Sequence, residues 1–203
     1  MRERDWQLLG LLGATFLINN YDLGILGLAL PQIQAGLAIP ETEVGRVTGV
    51  IRLGVLPALA LTMLADVVGR RRLLLLTILG FTVCTFATAF ARDSTDFMVL
   101  QFAARMFIYA EEMLAIVVVA EELDARARGY GLGILAAFGA LGHGVAAVFY
   151  STVEVVPYGW RALYVVGLAP LLVLAWMRRN LSETRRFLDH RTTRPPSPAC
   201  SAT

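Results

Sequence analysis

Residues 73–91 read LLLLTILGFTVCTFATAFA, and they follow directly on the connector of residues 66–72, DVVGRRR, which ends in three arginines. A second apolar segment, residues 44–65, precedes this connector. At 1.5 Å per residue, about 20 apolar residues of α-helix cross the hydrocarbon core of a bilayer, which is about 30 Å thick. Two such segments joined by a short charged connector predict a pair of antiparallel transmembrane helices.

The same pattern continues over most of the chain. With 57% hydrophobic and 17% charged residues, the 203-residue sequence has more apolar surface than a soluble core of this length needs. Six segments are long and apolar enough to span a membrane: residues 6–30, 44–65, 73–91, 97–120, 129–152 and 162–177. We therefore predict an all-α membrane protein in which residues 1–188 form a bundle of six transmembrane helices. We expect the polar residues 189–203 to be a disordered tail.

The arginines predict the orientation of these spans. Thirteen arginines lie before the first span, in alternate connectors and in the polar tail, whereas only Arg46, Arg92 and Arg161 lie at the opposite ends of the spans. Because cytoplasmic loops retain positive charge, both termini are expected in the cytoplasm, in a multi-pass protein of the cell (inner) membrane. The net charge of +2 is too small to indicate a nucleic-acid partner.

Several ionisable residues lie inside the predicted spans. Asp22 is in the first, Arg52 in the second, and Arg105, Glu111 and Glu112 are in the fourth. A charge in a membrane costs at least a few kcal/mol, so by default it faces a cavity or a partner. The seven-residue spacing puts Arg105 and Glu112 on one helix face. We predict that Asp22, Arg105 and Glu112 are proton-coupling residues, with Asp22 paired to Arg105.

Two alternatives remain open for the polar residues of the spans. These charges either couple transport to protons or neutralise one another and fix the helix register, and Glu111 could contact Arg52 in a structural pair. The asparagines either bind substrate or bridge helices. The candidates for a substrate cavity are Asn19, Asn20, Tyr109, Glu111 and Arg52.

Catalytic patterns are not found in the sequence. It contains no nucleophile–base set, metal-ligand cluster or phosphate-binding loop at usable spacing. We therefore expect no enzymatic activity, no cofactor and no metal.

The connector between the second and third spans carries a recognisable motif. Residues 64–72, LADVVGRRR, resemble the G-x-x-x-D-R-x-G-R-R signature of the major facilitator superfamily at the corresponding position. The matching residues are Asp66, Gly69, Arg70 and Arg71. Two positions depart from the signature, since Thr62 replaces its first glycine and Val67 its basic residue.

Further matches point to the sugar-porter and metabolite:proton symporter group of that superfamily. Residues 21–24, YDLG, look like its G-Y-D-x-G motif, Arg105 resembles the arginine that opens its fourth-helix motif, and residues 159–161 resemble its G-W-R. Glu121 and the pair Arg128–Gly129 resemble the glutamate and the R-G pair of its next cytoplasmic connector, and residues 182–188, SETRRFL, resemble its P-E-S-P-R-W-L motif. The resemblance implies a proton-coupling role for Asp22 and Arg105. It makes Glu121, Arg128, Glu183 and Arg186 candidates for a gating network.

The resemblance also implies a function. It suggests proton-coupled transport of a small polar metabolite, a sugar or an organic anion, by a chain equivalent to the N-terminal six-helix half of a transporter. The expected partners are the lipid bilayer, the substrate and the proton. Tyr109, Glu111 and Met113 replace glycines of the family's fourth-helix motif, so the choice between sugar and organic anion stays open.

A complete cavity is expected to need a second half, because relatives bind substrate between two six-helix halves. An identical copy in a homodimer or a separately encoded C-terminal half could supply it. The alternatives are a non-transporting truncated gene product or membrane scaffold and, third, a drug-efflux antiporter.

Overall fold

The computed structural model describes residues 3–153 and 157–178, and every structural statement below refers to these ranges. They form eight α-helices and no strand, so the all-α prediction is confirmed for the described residues. The helices are α1 (Glu3–Gly36), α2 (Glu41–Arg52), α3 (Val55–Met63), α4 (Ala65–Val68), α5 (Arg70–Thr88), α6 (Ser94–Glu122), α7 (Ala125–Tyr150) and α8 (Trp160–Arg178). The expected disordered tail, residues 189–203, lies outside the described residues.

The second predicted span is interrupted between α2 and α3. The N–H groups of Leu56 and Gly54 bond to carbonyls only three residues earlier, Leu53 and Ile51 respectively, which tightens the chain locally. Pro57 provides a physical reason, because it has no N–H to donate to the carbonyl of Leu53. The span is thus two helices with a tight turn between them.

Six helical regions correspond to the six predicted spans when α2 and α3 are counted together. By length and apolar composition, three helices in the described ranges could cross a membrane: Asp5–Gly36, Glu41–Met63 and Ala125–Tyr150. A shorter apolar helix covers Arg72–Thr88. The helix α6 is long enough to cross a membrane, but the charged residues near its middle lower its mean hydropathy. It is therefore not among these three helices.

The helix α1 lies at the centre of the bundle. It packs along α7 and also contacts α8 and α6, whereas α5 packs against α6 and α8. Its buried side chains enter three separate hydrophobic clusters. Leu12 belongs to a cluster with Leu114, Ile18 to one with Ile78, and Ile25 to one with Phe97 and Trp160. Polar residues on α1 are consequently surrounded by helices from several sides.

Small residues bring α1 and α7 close together. A Cβ atom added at Gly142 of α7 would collide with the backbone carbonyl of Leu17 and lie 3.0 Å from the backbone nitrogen of Tyr21. Glycine and alanine allow such backbone contact between membrane helices. The neighbouring Gly144 has nothing within 4 Å of the corresponding position.

These two glycines give a matched test of the packing. We expect Gly142→Ala to lower the free energy of unfolding by about 1–3 kcal/mol, because the added methyl group forces backbone to move. Gly144→Ala, on the same helix, should leave it unchanged or raise it slightly. Unfolding of the purified chain in mixed micelles, followed by circular dichroism during titration with a denaturing detergent, measures both. Equal effects of the two substitutions would contradict this packing.

Candidate functional site

A buried ion pair joins the central helix α1 to α6. The Nη1 atom of Arg105 lies 3.4 Å from Oδ2 of Asp22, and the two side chains are 2% and 4% exposed. Nη2 of Arg105 donates to the backbone carbonyl of Asp22 at 3.5 Å and to Oε1 of Gln101 at 3.4 Å. A charge away from water needs such partners, because losing either one leaves the other uncompensated.

The helix α5 extends this pair into a hydrogen-bonded network. Oγ1 of Thr85 donates to Oδ1 of Asp22 at 3.5 Å, and Nε2 of Gln101 donates to Oγ1 of Thr88 at 3.2 Å. The residues predicted from the sequence did not include Thr85, Thr88 or Gln101. A signal was present, because the two threonines are three residues apart on one face of an apolar helix and Gln101 is one turn before Arg105.

The helix α8 closes the other side of Asp22. A small cleft is lined by Ile18, Tyr21, Asp22, Phe81, Thr85, Tyr164 and Gly167. The hydroxyl of Tyr21 donates to the carbonyl of Leu163 at 3.0 Å, and the buried hydroxyl of Tyr164 has no hydrogen-bond partner among the described residues. Gly167 leaves room for the ring of Tyr21, since a Cβ there would lie 3.0 Å from Cε1. Four helices thus surround the carboxyl group of Asp22.

A second contact between α1 and α6 lies beside the ion pair. Nδ2 of Asn20 donates to Oε1 of Glu112 at 3.0 Å and to the carbonyl of Phe16 at 2.9 Å. Gly139 of α7 leaves space for this amide, because a Cβ there would lie 3.2 Å from Nδ2 of Asn20. Arg105 and Glu112, seven residues apart on α6, therefore both contact α1.

The remaining cavity candidates are not all brought together. Asn19 is fully buried on α1, Glu111 is fully buried on α6 and Tyr109 is partly buried. The alternative contact between Arg52 and Glu111 is not found among the described residues, because Arg52 is exposed at the end of α2, immediately before the interruption of that span. No hydrogen bond or ion pair within the described ranges joins Arg52 to the interior of the bundle.

The connector motif residues that the structure describes lie at or near helix ends. Gly69, between α4 and α5, has φ 102°, a backbone conformation that favours glycine. The side chains of Asp66, Arg70 and Arg71, and all of Glu183 and Arg186, lie outside what the structure describes. Nε of Arg128 donates to the carbonyl of Leu123 at 3.1 Å, just beyond the end of α6, and Glu121 is partly buried in the last turn of that helix.

The residues that resemble G-W-R join two helix ends. Nη2 of Arg161 donates to the carbonyl of Ala91, just after α5, at 2.9 Å, and its guanidinium carbon lies 4.3 Å from the centre of the Trp160 ring. The preceding Gly159 has φ 57°, which allows the sharp entry into α8. The start of α8 is therefore held against the end of α5.

Comparison with known proteins gives consistent matches. A family model described as Major Facilitator Superfamily matches residues 12–200. A putative metabolite transport protein of Haemophilus influenzae is 31% identical over 179 residues, covering 86% of this chain and 43% of the relative. The benzoate transport protein of Acinetobacter baylyi is 25% identical over 189 residues, covering 90% and 40%. The chain thus spans about two fifths of the length of these curated relatives.

A solved structure agrees at the level of the fold. The xylose transporter XylE from E. coli, in a partially occluded inward-open conformation, matches with a TM-score of 0.84 and 15% identity. The match covers 94% of this chain and 51% of that one. The helix arrangement described above is therefore that of half of a known transporter structure.

The buried pair can be compared with an exposed one in the same chain. Each of Asp22→Asn and Arg105→Gln should lower the free energy of unfolding by about 3–5 kcal/mol, and the double variant by less than the sum, because it leaves no uncompensated charge. The control is Arg46 with Glu43, which lie 2.8 Å apart with side chains 63% and 41% exposed. The double-mutant cycle of this exposed pair should give a coupling energy of about 0–1 kcal/mol. Coupling energies of equal size in the two cycles would contradict the role assigned to the buried pair.

Proposed function

The chain belongs to the major facilitator superfamily, and from this we propose that its helices form one six-span half of a secondary transporter for a small polar organic metabolite. Names of relatives support this class of cargo, since they include a benzoate transport protein and, among solved structures, a xylose transporter. In such transporters the substrate binds near the membrane midplane between two halves. A second six-helix half completes the site, and an identical copy in a homodimer or a C-terminal half could supply it.

The observation that carries the proposal is the ion pair of Asp22 and Arg105. Its side chains are almost fully buried, and they join two different helices of the bundle. An ionisable side chain inside the membrane costs free energy, so such residues are rare. Where they occur, they typically mark a substrate or proton pathway. We therefore assign this pair a role in the transport pathway.

Proton coupling follows from the chemistry of the carboxyl group. A proton taken up from water by the carboxylate of Asp22 removes its negative charge and with it the attraction to Arg105. Arg105 keeps its hydrogen bonds to Gln101 and to the backbone carbonyl of Asp22, so the contact between α1 and α6 is weakened while the cation remains held. Loss of the proton on the opposite side restores the pair. Thr85 of α5, which donates to Asp22, and Tyr164 of α8 are the further polar groups at this site.

The gating and membrane assignments belong to the same proposal. Glu121, Arg128, Glu183 and Arg186 form a charged network at the cytoplasmic ends of the helices, together with the motif of Asp66, Gly69, Arg70 and Arg71. Glu112 and the cavity residues Asn19, Asn20, Tyr109 and Glu111 take part in coupling or in substrate contact. The protein lies in the inner membrane with both termini in the cytoplasm.

Proteoliposome uptake tests the coupling. The full chain is reconstituted alone and with candidate second halves, and uptake of radiolabelled benzoate, xylose and an organic cation is measured with and without an inward proton gradient. We expect the gradient to accelerate uptake of the transported compound about tenfold, and Asp22→Asn to abolish this acceleration while exchange continues. Glu43→Gln, in the exposed pair, is the control and should respond like the unmodified chain. An unchanged gradient response of Asp22→Asn refutes the coupling role, and absence of uptake in every arrangement refutes transport.

Labelling from outside tests the orientation. Cys84 and Cys200 are first replaced by serine, and Thr95→Cys near the start of α6 and Ala125→Cys at the start of α7 are then introduced at exposed positions. In intact cells, a membrane-impermeant maleimide should label Thr95→Cys, whereas Ala125→Cys should react only after permeabilisation, because the positive-inside rule keeps the α6–α7 connector in the cytoplasm. The reverse pattern would show an inverted bundle.

A further inference from the structure

The two carboxylates that α1 and α6 share have partners of different charge. Asp22 is paired with the cation of Arg105, whose Nη2 atom is also held by Gln101. Glu112 accepts a hydrogen bond from Asn20, a neutral amide, and this is its only hydrogen bond within the described part of the chain. Its side chain is partly exposed. The hydrogen-bond partner of Glu112 is thus a neutral amide, while the charges of Arg105 and Glu111 act on it without a direct contact.

A second polar side chain, without a hydrogen-bond partner in the described ranges, precedes Asn20 on α1. Asn19 is fully buried, and neither Oδ1 nor Nδ2 of its amide has a hydrogen-bond partner among the described residues. Buried amides are nearly always hydrogen-bonded, so one with both atoms unused calls for an explanation. A ligand that both accepts and donates hydrogen bonds provides one.

The direction of Asn19 follows from its neighbours on α1. At about 100° per residue, Asn19 lies between Asn20 on one side and Asp22 on the other. Asn20 contacts Glu112 and Asp22 contacts Arg105, both on the same face of α6. The amide of Asn19 therefore points into the interval between these two contacts.

We propose, building on the transport function above, that Glu112, Asn19 and Asn20 form a subsite for a cationic nitrogen, so that the cargo is an organic cation or an amine-bearing metabolite and not an anion. The ammonium group binds the carboxylate of Glu112, where an anion would be repelled. Asn19 hydrogen-bonds an adjacent polar group of the ligand once α1 and α6 separate enough to uncover it. This charge class differs from that of the cargo named for the benzoate relative.

Equilibrium binding to the full chain in lipid nanodiscs tests the subsite with three probes that share a phenyl ring. They are benzylamine, which is a cation at pH 7, the neutral benzyl alcohol, and the anion benzoate. We expect benzylamine to bind with a Kd at least about tenfold lower than that of benzoate, with benzyl alcohol between them. Glu112→Gln should bring the three values to within about threefold, because the charge is lost while the shape is kept. Asn19→Ala should weaken both benzylamine and benzyl alcohol by about two- to tenfold, through the lost hydrogen bond.

Two further variants serve as controls. Glu112→Asp keeps the charge and should keep the order of the probes, and Glu43→Gln removes a carboxylate from the exposed pair on α2 and should change nothing. Thermal unfolding of each variant identifies any that is not folded. The order of the three Kd values for the unmodified chain tests the subsite even if a variant does not fold. Tighter binding of benzoate than of benzylamine, a preserved cation preference in Glu112→Gln, or no binding of any probe overturns the subsite.

These outcomes are separable from those of the transport test. A gradient-driven uptake of anions with no preference for benzylamine rejects the cation subsite and leaves the transporter intact. Cation-selective binding without uptake in any arrangement rejects transport and leaves the subsite.

Discussion

A charge that has left water must find its compensation inside the protein, and this constraint organises the whole bundle. The guanidinium of Arg105 and the carboxylate of Asp22 satisfy each other, but only because α1, α5 and α6 deliver Gln101 and Thr85 to the same place. The helices are therefore not free to rotate about their axes. Apolar packing alone would tolerate many rotations, because lipid and protein interior are similarly apolar.

The same constraint explains why glycines lie where they do. Compensation at this distance requires the helices to approach closely, and Gly139 and Gly142 of α7 let α1 settle against it with its asparagine and backbone in contact. Each glycine removes a side chain where another residue needs the space. The fold thus places small residues of α7 against α1 and larger ones, such as Phe97 and Trp160, in an apolar cluster.

Much of this architecture could be predicted from the sequence, because it depends on local properties. Span length, apolar composition and the placement of Asp22 and Arg105 inside spans are read directly from the chain, and the resemblance to a transporter family follows from short motifs. The interruption between α2 and α3 was not predicted, although Pro57 was a local signal for it. The exposure of Arg52 could not be predicted with the same means, because it depends on which way a helix faces in the bundle. The hydrogen bonds of Thr85 and Thr88 likewise depend on contacts between residues distant in sequence.

The contact between Arg161 and Ala91 has a mechanical consequence. It fastens the end of α5 to the beginning of α8, 70 residues apart in sequence, through a bond to a carbonyl that the helix itself leaves unused. Trp160 stacks under the same guanidinium and also packs edge-on against Phe97, near the start of α6. The end of α5 and the starts of α6 and α8 are thereby held together at one rim of the bundle. Any separation of α6 from α5 and α8 must then be smallest at this rim and larger toward the opposite end of the bundle.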